Sequence, residues 1–97
     1  MAEVQRQTAA VRKHVWYSGH VQGVGFRYTA QRLAQRYRVG GFVRNLRDGR
    51  VELVAEGEPA EVDAFLSDVA RSMAGYITHQ EQRDETPEGL IHFRIAY

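Results

Sequence analysis

The run Gly19-His20-Val21-Gln22-Gly23-Val24-Gly25-Phe26-Arg27 holds the residue types and spacing that bind an anion. Glycines let the backbone fold tightly and turn its N–H groups inward. A helical pattern follows, and a helix start adds unpaired N–H groups and the positive end of a dipole. Arg27 adds a permanent, forked positive charge. Together these parts describe a site of phosphate size. They leave open whether the site only binds phosphate or does chemistry on it.

Other chemistries have less support. The chain contains no cysteine, which removes disulfides, thiolate metal sites and cysteine nucleophiles. His14, His20, His79 and His92 lack metal spacing such as H-E-x-x-H and read as surface or strand residues. Ser18 and His20 flank Gly19 with no orienting acid nearby, which argues against a hydrolase triad. Neither Lys nor Ser/Thr follows the last glycine, so the loop is not a nucleoside-triphosphate P-loop. It does not match G-x-G-x-x-G either.

These residues need elements to hold them. The chain has 97 residues, the size of one domain. That domain is expected over residues 13–97, with 1–12 as a loose polar lead-in. No apolar run suits a signal peptide or a membrane span. A cysteine-free composition is compatible with the cytosol, the expected compartment. The formal net charge is +1, but residues 1–50 hold ten Arg and Lys against two Asp and Glu, and residues 51–97 hold three against ten. The loop lies in the basic half. The asymmetry points to an anionic partner, a small phosphate compound or a nucleic acid, or simply to two solvated faces of opposite charge.

Alternation of apolar and polar residues predicts a strand over 13–18. Phe26, Thr29, Ala30, Leu33, Ala34 and Tyr37 then follow helical spacing, a pattern expected to stop at Gly40-Gly41. A second strand is predicted over 41–46 and a hairpin turn at Arg47-Asp48-Gly49. Val51, Leu53 and Ala55 alternate with Glu52, Val54 and Glu56 in a third strand. Pro59 suits the first turn of a second helix, in which Val62, Phe65, Leu66, Val69, Ala70 and Met73 share a face. A polar strand at 76–83, suited to a sheet edge, a turn at 86–89 and a final strand through Phe93, Ile95 and Tyr97 complete the chain. This order is the ferredoxin-like split βαβ arrangement, an α+β fold with an antiparallel sheet of four or five strands and both helices on one face. The loop after the first strand and the end of the second are expected at one end of the sheet.

RNA-recognition modules share this order and place aromatics on the sheet. Their third-strand motif aligns with residues 38–45, where Arg38, Gly41, Phe42 and Val43 match. Val39, Gly40 and Asn45 do not, and the segment precedes the hairpin, so it lies on the wrong strand.

Two motifs resemble those of the acylphosphatase family. One is similar to G-x-V-Q-G-V-x-F-R, met by Gly19, Val21, Gln22, Gly23, Val24, Phe26 and Arg27. The other pairs glycine, an aromatic, valine, a basic residue and asparagine with later glycines and a valine. It is met by Gly41, Phe42, Val43, Arg44, Asn45, Gly49, Val51 and Gly57. The resemblance covers almost the whole chain, and Tyr17 departs from it where the family has an aliphatic residue. It implies hydrolysis of the carboxyl–phosphate bond of acyl phosphates, with no metal and no cofactor. Arg27 matches the family's phosphate-binding arginine and Asn45 its water-orienting asparagine. The phosphate is expected in the loop from His20 to Phe26, at the backbone N–H groups of Val21, Gln22, Gly23, Val24, Gly25 and Phe26. Gly25 and His20 fall at variable motif positions, so they are credited with little, and His20 is expected to face solvent. The implied partner is a small acyl phosphate, with inorganic phosphate as product. No nucleic acid, membrane or second subunit is expected. A phosphate-binding regulatory module with little turnover is the alternative, and an RNA-binding domain a more distant one.

Overall fold

The computed structural model describes residues 9–97. The elements run β1 (Val11–Gly19), α1 (Phe26–Ala34), β2 (Val39–Asn45), β3 (Val51–Gly57), α2 (Pro59–Ser72), β4 (Ile77–Glu85) and β5 (Phe93–Ile95). The first eight residues of the expected lead-in lie outside the described residues. Its last two already belong to β1, because Arg12 is buried and ion-paired with Glu56 and Glu85.

The sheet order is β4-β1-β3-β2-β5. The first four strands pair antiparallel, as expected, and β5 pairs parallel to β2. The direction of β5 follows from chain path. Leaving the edge strand β4, the chain crosses the end of the sheet and runs back up the opposite edge. A strand that returns antiparallel to β4 is parallel to β2. Its C-terminal end therefore arrives where β2 ends, beside the loop after β1.

The core lies between the helices and one face of the sheet. Phe26, Ala30, Leu33 and Ala34 of α1 and Val62, Phe65, Leu66 and Val69 of α2 are buried on it, against Val15, Tyr17, Val43, Leu53 and Ala55. Both helices place apolar residues three and four apart, which makes one buried stripe. The helix α1 stops short of the predicted Tyr37, because Arg36 and Tyr37 donate N–H bonds only three residues back, to Leu33 and Ala34. Gly40-Gly41 does not end the helix. Both residues lie in β2, where other backbone comes close. A Cβ on Gly41 would lie 1.8 Å from the Val54 carbonyl oxygen, and its φ is +143°. One on Gly40 would lie 2.1 Å from the Leu90 carbonyl oxygen.

The other sheet face is covered by charge instead of helices. β3 was expected to alternate, yet Glu52, Val54 and Glu56 are buried as fully as the core-facing Val51, Leu53 and Ala55. β3 is the central strand, and long side chains from its neighbours roof it. The Glu52 carboxylate meets His14 at 2.6 Å and Arg44 at 2.5 Å. The Glu56 carboxylate accepts from Arg12 at 2.7 Å and from the backbone N–H groups of Glu88, Gly89 and Leu90 at 2.9–3.1 Å. Burial would raise the Glu56 pKa, but these donors outweigh it and hold the carboxyl below its usual range.

Two outcomes follow for stability. A carboxyl held low in the folded state adds stability above its ordinary pKa of 4.5 and loses it as pH falls through the lower folded value. Glu56→Gln is expected to cost about 3 kcal/mol at neutral pH. Urea midpoints should also show its stability falling less than the parent's below pH 4.5. Gly41→Ala should lose more than about 2 kcal/mol, since rigid backbone blocks the new methyl.

Candidate active site

The loop between β1 and α1 is pulled down by its apolar members. Val21 and Phe26 are buried, Val24 packs against the core, and the Phe26 ring lies 4.9 Å from that of Tyr17. Burial raises the Tyr17 pKa, so the ring beneath the loop stays neutral and adds no negative charge there. Tyr17, the departure from the family motif, is thus an added core ring.

Between these anchors the glycines turn the backbone. Gly23 and Gly25 have φ of +79° and +81°, the left-handed region that side chains disfavour. A Cβ at either would meet nothing within 4 Å, so the requirement is one of conformation, not space. Gly25 is the N-cap of α1, and its carbonyl accepts the first helical bond from Thr29 at 2.9 Å. It therefore contributes more than its variable motif position implies. Just after this cap, the N–H groups at the helix start have no intrahelical partner, and the dipole's positive end faces outward.

The Gln22 side chain ties this loop to the β2–β3 hairpin. Its Nε2 donates to the Leu46 carbonyl at 2.7 Å and to the Arg50 carbonyl at 2.9 Å. Those carbonyls sit at the two ends of the turn after Asn45. The turn itself is closed by the Leu46 N–H on Arg50 O at 2.8 Å and by the Asp48 carboxylate, which accepts from Arg50 N at 3.1 Å. Asn45 is thus not needed to cap the hairpin. Among the described residues its side-chain amide has no hydrogen-bond partner.

One cavity of about 160 Å³ collects the parts. Val21, Gly23, Gly25, Phe26 and Arg27 line it from the loop and helix start, and Asn45 lines it from the end of β2. Arg27 is half-buried and pairs with no carboxylate among the described residues, and its guanidinium carbon lies 5.3 Å from the centre of the Tyr97 ring. Of the loop residues expected here, His20, Gln22 and Val24 are not part of the cavity wall. His20 is exposed, and its backbone N–H bonds the Tyr76 carbonyl at 2.9 Å. Gln22 and Val24 act from behind, one by tethering and one by packing.

Three further lining residues, Tyr28, Ile95 and Tyr97, were not anticipated. Tyr28 had a signal in the sequence, a large ring off the apolar stripe of its helix. Ile95 and Tyr97 had none, since only the parallel course of β5 brings them to this end of the sheet.

Comparison with known proteins agrees with this architecture. The family model described as Acylphosphatase matches residues 13–95. An acylphosphatase of Synechococcus sp. is 52% identical over 86 residues, spanning 88% of this chain and 92% of the relative. An acylphosphatase of Gloeobacter violaceus is 47% identical, spanning 89% and 94%. The crystal structure of acylphosphatase from Bacillus subtilis superposes with a TM-score of 0.81 at 32% identity, covering 90% of this chain and 99% of that one. With a cradle of loop backbone, an unpaired arginine and an uncommitted asparagine on this fold, the chain belongs to the acylphosphatase family.

Proposed function

We propose that the chain hydrolyses the carboxyl–phosphate bond of acyl phosphates, with Arg27 and the loop backbone holding the phosphate and Asn45 holding the attacking water. The observation that carries this reading is the shared cavity. Arg27 and Asn45 come from different elements, yet both line it beside the turned backbone of Gly23 and Gly25.

Phosphoryl transfer to water passes through a loose transition state with charge on the equatorial and leaving oxygens. N–H dipoles and one guanidinium fixed before the reaction stabilise that charge without reorganising. Water bound to the Asn45 amide attacks phosphorus opposite the acyl oxygen. The new P–O bond forms as the P–O(acyl) bond breaks, and the electron pair leaves on the carboxylate. The water proton passes to a phosphate oxygen. A carboxylate is a weak base, so its departure needs no acid, metal or cofactor. Loop residues His20, Gln22 and Val24 act in this scheme as supports for the cradle.

The proposed working unit is a monomer. A free small molecule, not a nucleic acid, is the proposed partner. The open sheet face supports this, because its carboxylates Glu52, Glu56 and Glu85 repel a polyanion and its Trp16 ring is already stacked on His14 with Arg83 over it. No helix among the described residues is long and apolar enough to cross a membrane. The proposed compartment is the cytoplasm, which the absence of cysteine fits.

Turnover of acetyl phosphate in excess EDTA tests the reading. Arg27→Gln is expected to lower kcat/KM by about a thousandfold and to abolish competitive inhibition by inorganic phosphate. Asn45→Ala should lower kcat by about a hundredfold with little change in phosphate inhibition. A folded wild-type chain that binds phosphate without turnover would favour the regulatory alternative. Gln22→Ala should loosen the cradle and weaken phosphate binding about tenfold, read by calorimetry. Gln22→Glu should do worse, because a carboxylate would face two carbonyl oxygens.

A further inference from the structure

Four large apolar or aromatic side chains stand exposed among the described residues: Tyr28, Tyr76, Ile91 and Tyr97. Two of these, Tyr28 and Tyr97, border the cavity of Arg27 and Asn45. The core needs neither ring, since Tyr28 is 61% and Tyr97 97% exposed. Each has an arginine over it. The guanidinium carbon of Arg32 lies 5.7 Å from the centre of Tyr28, and that of Arg27 lies 5.3 Å from the centre of Tyr97. Tyr28 and Arg32 are four apart on α1, the spacing at which helix side chains meet. Such contacts are weakly attractive at exposed sites.

The cavity wall therefore offers two kinds of surface. Gly23, Gly25, Arg27 and Asn45 supply backbone and polar groups, and Val21, Phe26, Tyr28, Ile95 and Tyr97 supply apolar and aromatic ones. An acyl phosphate has the same division, a charged phosphoryl group joined to an acyl group. An acetyl group has one methyl to set against the rings, whereas a planar aromatic acyl group presents a whole face.

We propose that Tyr28 and Tyr97 form the acyl-binding wall of the site and make it select acyl phosphates with a flat, apolar acyl group over small aliphatic ones. This inference rests on the acyl phosphate reading above. Arg27 is shared between the two surfaces, because it both faces the phosphate and lies on the Tyr97 ring. Loss of Tyr97 thus touches every substrate, and the ratio between substrates isolates the acyl contact.

The experiment compares kcat/KM for benzoyl phosphate and acetyl phosphate in the wild-type chain, Tyr28→Ala, Tyr97→Ala, Tyr28→Phe and the remote control Ile91→Ala. The wild type should prefer benzoyl phosphate. Each tyrosine-to-alanine change should lower the benzoyl-to-acetyl ratio about fivefold, chiefly through KM. Tyr28→Phe and Ile91→Ala should keep the ratio. Fluorescence of Trp16, the single tryptophan, checks that every variant is folded. A ratio unchanged in both alanine variants, or a wild type that prefers acetyl phosphate, overturns the wall while leaving the hydrolase reading intact. A folded wild type inactive on both substrates overturns the hydrolase reading, and the wall with it.

Discussion

The Glu56 carboxylate holds the end of the molecule farthest from the cradle, and the part of the cavity wall built by the end of the chain depends on it. One buried side chain gathers Arg12 of β1 and three successive N–H groups of the loop that crosses the sheet. That loop carries the chain from one edge to the other. Its seat on Glu56 and over Gly40 decides where β5 starts, and the parallel pairing with β2 then decides where it ends. Ile95 and Tyr97 reach the cavity as a result. A charge buried this deeply is costly unless its lone pairs are met, and here the Arg12 guanidinium is joined by three main-chain groups that had to be paired in any case.

At the opposite end, Gln22 does the corresponding work with a neutral side chain. Its amide nitrogen adds a second donor to two hairpin carbonyls that already accept from the Gly49 and Leu46 N–H groups, and so fixes the loop against the hairpin. An uncharged tether suits this place, because a cation would compete with Arg27 for the phosphate and an anion would repel it. The two ends differ in chemistry for that reason. The structural end tolerates a dense ionic cluster, while at the reacting end Arg27 pairs with no carboxylate among the described residues.

Much of this was legible in the residues, and the limits have physical causes. The helical stripes of Phe26 to Ala34 and Val62 to Met73 were readable because period and burial agree. Arg27 and Asn45 were singled out by the two motifs that resemble the acylphosphatase family, and both line one cavity. The doubly buried β3 was not, since alternation reports only which side a residue faces and not what roofs it. Gly40-Gly41 looked like a helix stop, because close approach of Val54 and Leu90 is a long-range fact that leaves the same local mark. Tyr97 could not be placed at all without the direction of β5.

The lopsided charge of the sequence takes its meaning from the pairing of strands. Basic residues of the first half meet acidic residues of the second across the open face: Arg12 with Glu56 and Glu85, Lys13 with Asp84, His14 and Arg44 with Glu52. Little of that positive charge remains for a polyanion on the sheet. At the start of α1 the case is different, because Arg27 finds no carboxylate partner among the described residues. Its field adds to the positive end of the helix dipole at the mouth of the cradle, which draws in small anions and fades with salt. The sheet neutralises its cations for stability, and the start of α1 leaves Arg27 with no carboxylate partner among the described residues, where an anionic substrate must enter.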